Sequence, residues 1–322
     1  MRGVGRAHRA NMGGPLSWDA RVDDCLAPRF GAAPRARKYY LDLWADHQAA
    51  GLAGAHFVSE LTGPSDEKFW QRVWEMALGQ HLRACGHTVR TRPEGEPDYF
   101  FEAGGQGVWV EAISPSPGPD LPRHWTTYDP LDLGPTCGPV PNTEMLLRWT
   151  SAFKAKAEKC KEYRRNGIVK PTDAFVIAID GSQLSRFPDT HGISQVPFVV
   201  ECVFAVGPLA IPVDPETRKL GRAFQSGEAS VENRNTAAVP KERFFRGESS
   251  GVSAVLGCHA ASGRHSPNGM LPVQVAYNPL ALRPIAPGQL GIGAEEWTAD
   301  LVTEDHEGTE WSVKRLPGPL TG

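Results

Sequence analysis

The sequence predicts an α/β domain on a central mixed sheet, its core ordered helix, three-strand meander, helix, strand. Three observations carry this. An apolar helical stretch closing at Gly86 is followed by three short extended segments, a second long helical stretch stops at Asn166-Gly167, and AFVIAID then reads as a buried strand.

At 322 residues and 35.0 kDa the chain can bury a full-sized core. We read residues 35–322 as one elaborated domain preceded by a flexible tail over residues 1–34, with the core at 66–180 and additions at 181–322. Hydrophobic residues make up 40% and charged residues 22%, which fits a globular protein and excludes wholesale disorder and a coiled coil. The formal net charge of -3, from 34 basic and 37 acidic residues, gives no global pull on a polyanion, so a nucleic-acid site requires a local basic surface.

Cys25, Cys85, Cys137, Cys160, Cys202 and Cys258 are scattered and form no CxxC pair. This spacing speaks against a zinc ribbon or disulfide scaffold and fits reduced thiols in a cytoplasm. No apolar run approaches the roughly 20 residues of a membrane span, so no membrane partner is expected. The opening MRGVGRAHRANMGG has no apolar stretch of a secretory signal.

Taken in order, Tyr39, Tyr40, Leu43 and Trp44 predict an N-terminal accessory helix over Arg35–Leu52. Ser65 and Asp66 announce the next helix, and Gly86 suits its C-terminal end. Extended segments follow at His87–Thr91, Asp98–Glu102 and Val108–Ile113, with Gly104-Gly105 turning the second into the third. Ser114–Pro141, rich in Pro and Gly, predicts a long structured loop beside a site. A helix runs from about Thr143 to Arg165, and the strand Ala174–Asp180 comes next. FVVECVFAV, from Phe198, predicts another strand. Asp214–Lys241 looks like a polar excursion, and Val252–Leu256 and Val273–Ala276 return as strands. There is no internal repeat.

The segment GEPDYFFEAGGQGVWVEAIS carries the chemistry. Strands of a hairpin lie about 5 Å apart, so Asp98 and Glu111 can share one cation. Such a pair repels itself without a cation, and hard oxygen ligands suit Mg²⁺ or Mn²⁺.

This pattern resembles the PD-(D/E)XK nucleases, in which a Pro-Asp pair and a strand turn precede Glu-x-Lys. The resemblance covers roughly residues 66–180. It implies a restriction-endonuclease-like core, Asp98 and Glu111 as metal ligands, and metal-dependent hydrolysis of phosphodiester bonds, with DNA favoured over RNA and a homodimer allowed. The sequence departs at Glu111-Ala112-Ile113, where isoleucine stands in the lysine position, and in this superfamily the lysine can migrate to the following helix.

At 100° per residue from Leu146, the apolar arc of that helix holds Trp149, Ala152, Phe153, Ala157, Cys160 and Tyr163, and Lys156 falls inside it at about 280°. Lys154, Glu158 and Lys161 fall on the opposite side. Either Lys156 lays its stem along the core and sends its ammonium to water, or it is the migrated catalytic lysine that positions water and offsets phosphate charge. Glu75 matches the place of an additional metal-site glutamate in the resemblance, whereas periodicity alone reads it as a solvated surface residue. Lys159 and Tyr163 have the spacing of a Gln-x-x-x-Tyr element of some relatives; lysine for glutamine weakens it, and Tyr163 as core with Lys159 as surface is the preferred reading.

Other signals carry less. The ten histidines show no HExxH or zinc-finger spacing, and Cys258-His259 is an isolated pair. GQLGIG lacks the context of a phosphate loop. Glu201 and Arg148 can be placed at a site or at the surface equally well. Three functional readings remain: the first is a metal-dependent nuclease using Asp98, Glu111, Glu75 and Lys156, and the second a non-catalytic protein of the same fold that binds nucleic acid or a protein. An unrelated enzyme with carboxylates on a hairpin is the third.

Overall fold

Among the described residues, four helices precede the first strand. Ser17 accepts the Ala20 amide at 3.3 Å and opens α1 (Trp18–Phe30). Pro34 sets the first turn of α2 (Pro34–Ala49), and the short α3 (Ala55–Leu61) leads to α4 (Asp66–Ala84). Ser65 caps α4 through the Lys68 amide, with Asp66 and Glu67 in its first turn, and Gly86 leaves it at φ +91°. The structure is a computed structural model that describes residues 17–91, 93, 95–122, 140–185, 191–258, 269–305 and 308–318.

Helix α1 corrects the expectation of a tail reaching residue 34. Val22 and Leu26 are buried, and Trp44 of α2 donates to Asp19 at 2.8 Å, so an apolar stripe and a cross-helix hydrogen bond hold the segment. Residues 1–16 of that expected tail lie outside the described residues.

The remaining described α-helices and strands are β1 (Arg90–Thr91), β2 (Tyr99–Ala103), β3 (Gln106–Ile113), α5 (Asn142–Arg165), β4 (Ala174–Asp180), α6 (Phe198–Phe204), β5 (Val206–Ala210), β6 (Phe224–Gly227), β7 (Ser230–Glu232), β8 (Ala238–Pro240), β9 (Ala254–Cys258), β10 (Gln274–Tyr277), β11 (Glu295–Asp305) and β12 (Gly308–Arg315). An eight-stranded mixed sheet runs β1-β2-β3-β4-β9-β10-β11-β12. β3 is antiparallel to β2 and parallel to β4, and β4 is parallel to β9. The order α4, β1-β2-β3, α5, β4 follows the expected one. Gly104 and Gly105, at φ +57° and +81°, supply the two positive φ values that a tight β2–β3 turn requires.

Helices cover both faces. Val108, Val110, Ala112, Val176 and Ala178 join one core with α1–α4, while Trp109, Phe175, Ile177 and Ile179 join a second core with α5 and α6. All seven residues of β4 are buried, as a strand with helices on both faces requires. Alternation along β3 therefore turns Glu111 toward α5.

Three expectations change. FVVECVFAV is a helix, α6, rather than a strand through Val206: it starts after Pro197 and ends at Ala205 in the left-handed region at φ 57°. All seven of its residues are buried, and a largely apolar run buried all round has no periodicity that separates helix from strand. The strand expected over His87–Thr91 is confined to Arg90–Thr91, because the His87 ring stacks on Phe101 at 4.1 Å and meets the Gln289 carbonyl at 2.6 Å. The excursion over 214–241 contributes to two ribbons, β5–β6 and β7–β8.

Candidate active site

The hairpin register Tyr99↔Val110, continued by one residue, sets Asp98 across from Glu111. Asp98 stands just before β2, and its Oδ2 accepts the Ala112 amide at 2.7 Å. No described residue bonds its Oδ1. Burial, with the charges of Glu75 and Glu111, pushes the Asp98 carboxyl well above the usual carboxylate range, and Lys156 pulls against that rise.

Glu111 is enclosed, its side chain 3% exposed, and it is bonded from one face of α5. The Lys156 ammonium donates to Oε1 at 2.7 Å, the Lys159 ammonium approaches the same oxygen at 3.3 Å, and the Tyr163 hydroxyl donates to Oε2 at 3.2 Å. Residues spaced by three and four along a helix share a face, so one turn after another delivers these groups to one carboxylate. Burial and the neighbouring Glu111 push the Tyr163 phenol up, which keeps it a hydrogen-bond donor.

Lys156 lies on the arc that periodicity assigned to it, with its ammonium on Glu111 and not in water; its side chain is 13% exposed. Tyr163 is core and Lys159 is surface, as the preferred reading had them, and both also reach Glu111. Lys159 is half-exposed along its stem, yet its head group reaches Glu111, and Tyr163 is both core and site. Their four-residue spacing was the available signal. Lys154 and Glu158 face outward, as does Lys161, which pairs with Glu158 at 2.8 Å.

Glu75 is buried, which overturns the surface reading that periodicity favoured. It accepts from Gln71 Nε2 at 2.9 Å and pairs with Arg72, which also pairs with Glu60. Burial raises its carboxyl, opposed first by Arg72 and weakly by Lys156. Gln71 and Arg72 were missed because α4 is apolar around much of its circumference, so its polar residues looked like a solvated strip. The signal was the three-residue spacing of Arg72 and Glu75.

Other residues considered at the sequence level have different partners. Arg148 lies 3.9 Å from Asp120, which Arg234 holds at 2.6 Å. Glu201 is buried on α6, hydrogen-bonded by Ser194, and burial lifts its pKa to about 7. At the end of β4, Asp180 accepts from Ser114 Oγ at 3.2 Å and from the Ser182 amide at 3.1 Å. Of the loop expected over 114–141, residues 123–139 lie outside the described residues, as do Cys137 and His259.

Among the described residues, no group of three or more His, Cys, Asp or Glu side chains is arranged to hold a metal ion. Asp98 and Glu111, two carboxylates set across the hairpin, are fewer than such a group; Asp98 accepts through Oδ2 and Glu111 Oε2 accepts the Tyr163 hydroxyl. Mg²⁺ characteristically takes one or two carboxylates and keeps several waters, so two carboxylates fit it. The five cysteines among the described residues are free thiols, and no described helix is long and apolar enough to cross a membrane. No family model, curated protein or solved structure matches the chain.

Proposed function

We propose that the chain is a PD-(D/E)XK-type nuclease with a restriction-endonuclease-like core, hydrolysing phosphodiester bonds of DNA in preference to RNA. The observation that carries this reading is the Lys156 ammonium, 2.7 Å from Glu111, delivered by the helix after the hairpin to the carboxylate across from Asp98. It supplies from α5 the cation that Ile113 cannot supply from β3.

Asp98 and Glu111 would hold Mg²⁺ or Mn²⁺, which when bound activates water and stabilises charge on a phosphate. Tyr163 fixes the Glu111 carboxylate through Oε2, and Glu75 adds negative potential beside the pair while Arg72 limits its cost. Lys156 places a positive charge where negative charge grows on the phosphate oxygens, and holds a water within reach of its ammonium. Lys159, its side chain half-exposed, would be the cation that meets an incoming phosphate.

One observation favours the alternative of a non-catalytic binding protein: Glu111 Oε1 already carries two ammonium groups, a neutralisation that is complete without a metal. Incubating the protein with duplex DNA, single-stranded DNA and RNA in Mg²⁺, Mn²⁺ or EDTA separates the two. The nuclease reading expects metal-dependent cleavage that Glu111→Ala abolishes while the fold persists. Binding without cleavage in every metal supports the alternative.

A further inference from the structure

Antiparallel pairing of β2 with β3 ends at Tyr99↔Val110, and the next partner on the same side of β3, Ala112, would fall opposite Pro97. Proline has no amide hydrogen, so it cannot donate to the Ala112 carbonyl, and β2 begins only at Tyr99. The ladder on that side of β3 is therefore interrupted where Glu111 must be held. Main-chain polar groups in such a buried place need other partners.

Two side chains supply them. Asp98 Oδ2 accepts the Ala112 amide at 2.7 Å. Gln71 Nε2 donates to the Ala112 carbonyl at 3.2 Å, and Gln71 Oε1 accepts the Ser114 amide at 2.8 Å. One primary amide thus bonds a carbonyl and the amide hydrogen two residues on, as the N–H and C=O of one residue in a parallel neighbouring strand would. Its Nε2 also donates to Glu75 Oε1 at 2.9 Å.

We infer that Gln71 is a positioning residue: its side-chain amide continues the sheet past Pro97 and couples Glu75 on α4 to the strand end that carries Glu111. A carboxylate in its place keeps the acceptor and loses both donors, and an apolar chain of similar length loses all three bonds. The consequence for metal binding rests on the nuclease reading, whereas the pairing itself does not.

The test compares Gln71→Met, Gln71→Glu and a control, Trp74→Phe, which removes another anchor between α4 and the sheet, the 3.0 Å bond to the Ala178 carbonyl. Amide hydrogen exchange at Ser114 is read first. We expect it to rise about tenfold in Gln71→Met and to stay near the parent value in Gln71→Glu, since loss of one hydrogen bond is worth about that factor. Trp74→Phe should leave it unchanged. Titration with Mn²⁺ alone is read second, with affinity about tenfold weaker in Gln71→Met and parental in Trp74→Phe, because supporting hydrogen bonds typically tune metal affinity on the order of tenfold or more.

Unchanged Ser114 protection in a folded Gln71→Met protein overturns the inference, as does equal loss of Mn²⁺ affinity in Gln71→Met and Trp74→Phe. If Gln71→Met does not fold, Gln71→Glu decides it: loss of Ser114 protection there contradicts the assigned acceptor, and retention supports it. A parent that binds no Mn²⁺ contradicts the nuclease reading and leaves the exchange result to judge Gln71.

Discussion

Asp98 stands where its own charge is unwelcome, between burial and two further carboxylates, Glu75 and Glu111. A carboxyl whose folded pKa lies above its unfolded value makes the folded state the better proton binder, so its contribution to stability falls as pH rises through that interval. Asp98→Asn keeps an oxygen for the Ala112 amide and removes the charge. Its melting temperature at neutral pH should exceed the parent's by a few degrees, with the gain shrinking as pH falls; a lower melting temperature contradicts this account of the site. Lys156 instead stabilises the fold through Glu111. Deleting it leaves Glu111 enclosed with only Lys159 and Tyr163, so Lys156→Ala should cost about 2 kcal/mol in urea unfolding, and a change within error would mean that Lys159 compensates fully. The candidate residues Asp98, Glu111 and Lys156 were picked out by the Pro-Asp pair, the Gly-Gly turn and one helical wheel, and the structure brings Lys156 onto Glu111. Glu75 was legible only through the resemblance, because burial of α4 on several sides erases the contrast that periodicity needs.

At the scale of elements, the part of the chain from α4 to β4 was legible because caps, turn glycines and alternation agree there. Ser65, Gly86, Gly104-Gly105 and Asn166-Gly167 punctuate it where the structure does. Legibility failed where burial is uniform or the signal is tertiary. α6 is buried on every side, and its end depends on Ala205 at φ 57°, a conformation that costs a residue with a Cβ roughly 1–2 kcal/mol. Ala205→Gly should therefore raise the urea midpoint, by a gain of about 1 kcal/mol, and a lower midpoint would place the strain elsewhere. The helices α5 and α6 meet β9 at Gly257, where an added Cβ would lie 2.9 Å from Val199 Cβ and 3.2 Å from the Trp149 ring. Gly257→Ala should cost about 1–3 kcal/mol through displacement of those side chains. A neutral result would show that this contact yields easily.

At the scale of the whole molecule, the sheet joins two cores of different purpose: α1–α4 brace one face and bring Glu75, while α5 brings Lys156, Lys159 and Tyr163 over the other. The brace has its own pH limit. His47 is buried against Phe57, and burial, aided by Arg83, lowers its pKa from 6.5 to about 4. A histidine kept neutral by the fold contributes its full stability above pH 6.5 and loses it as pH falls toward 4, a span worth about 3 kcal/mol. His47→Phe should flatten acid destabilisation over that window, and an unaltered pH profile would remove His47 as its cause. The tertiary meeting of the two helical layers was not readable from either layer alone, since nothing local in α4 says which strand end its Glu75 will reach. The proposed hydrolytic activity is tested most directly by cleavage of a DNA duplex in Mg²⁺ or Mn²⁺ by the parent and by Lys156→Met. Metal-dependent cleavage by the parent, lost in a folded variant that still binds the metal, is the predicted result. Cleavage by Lys156→Met at the parent's rate, or none by the parent in either metal, would contradict it.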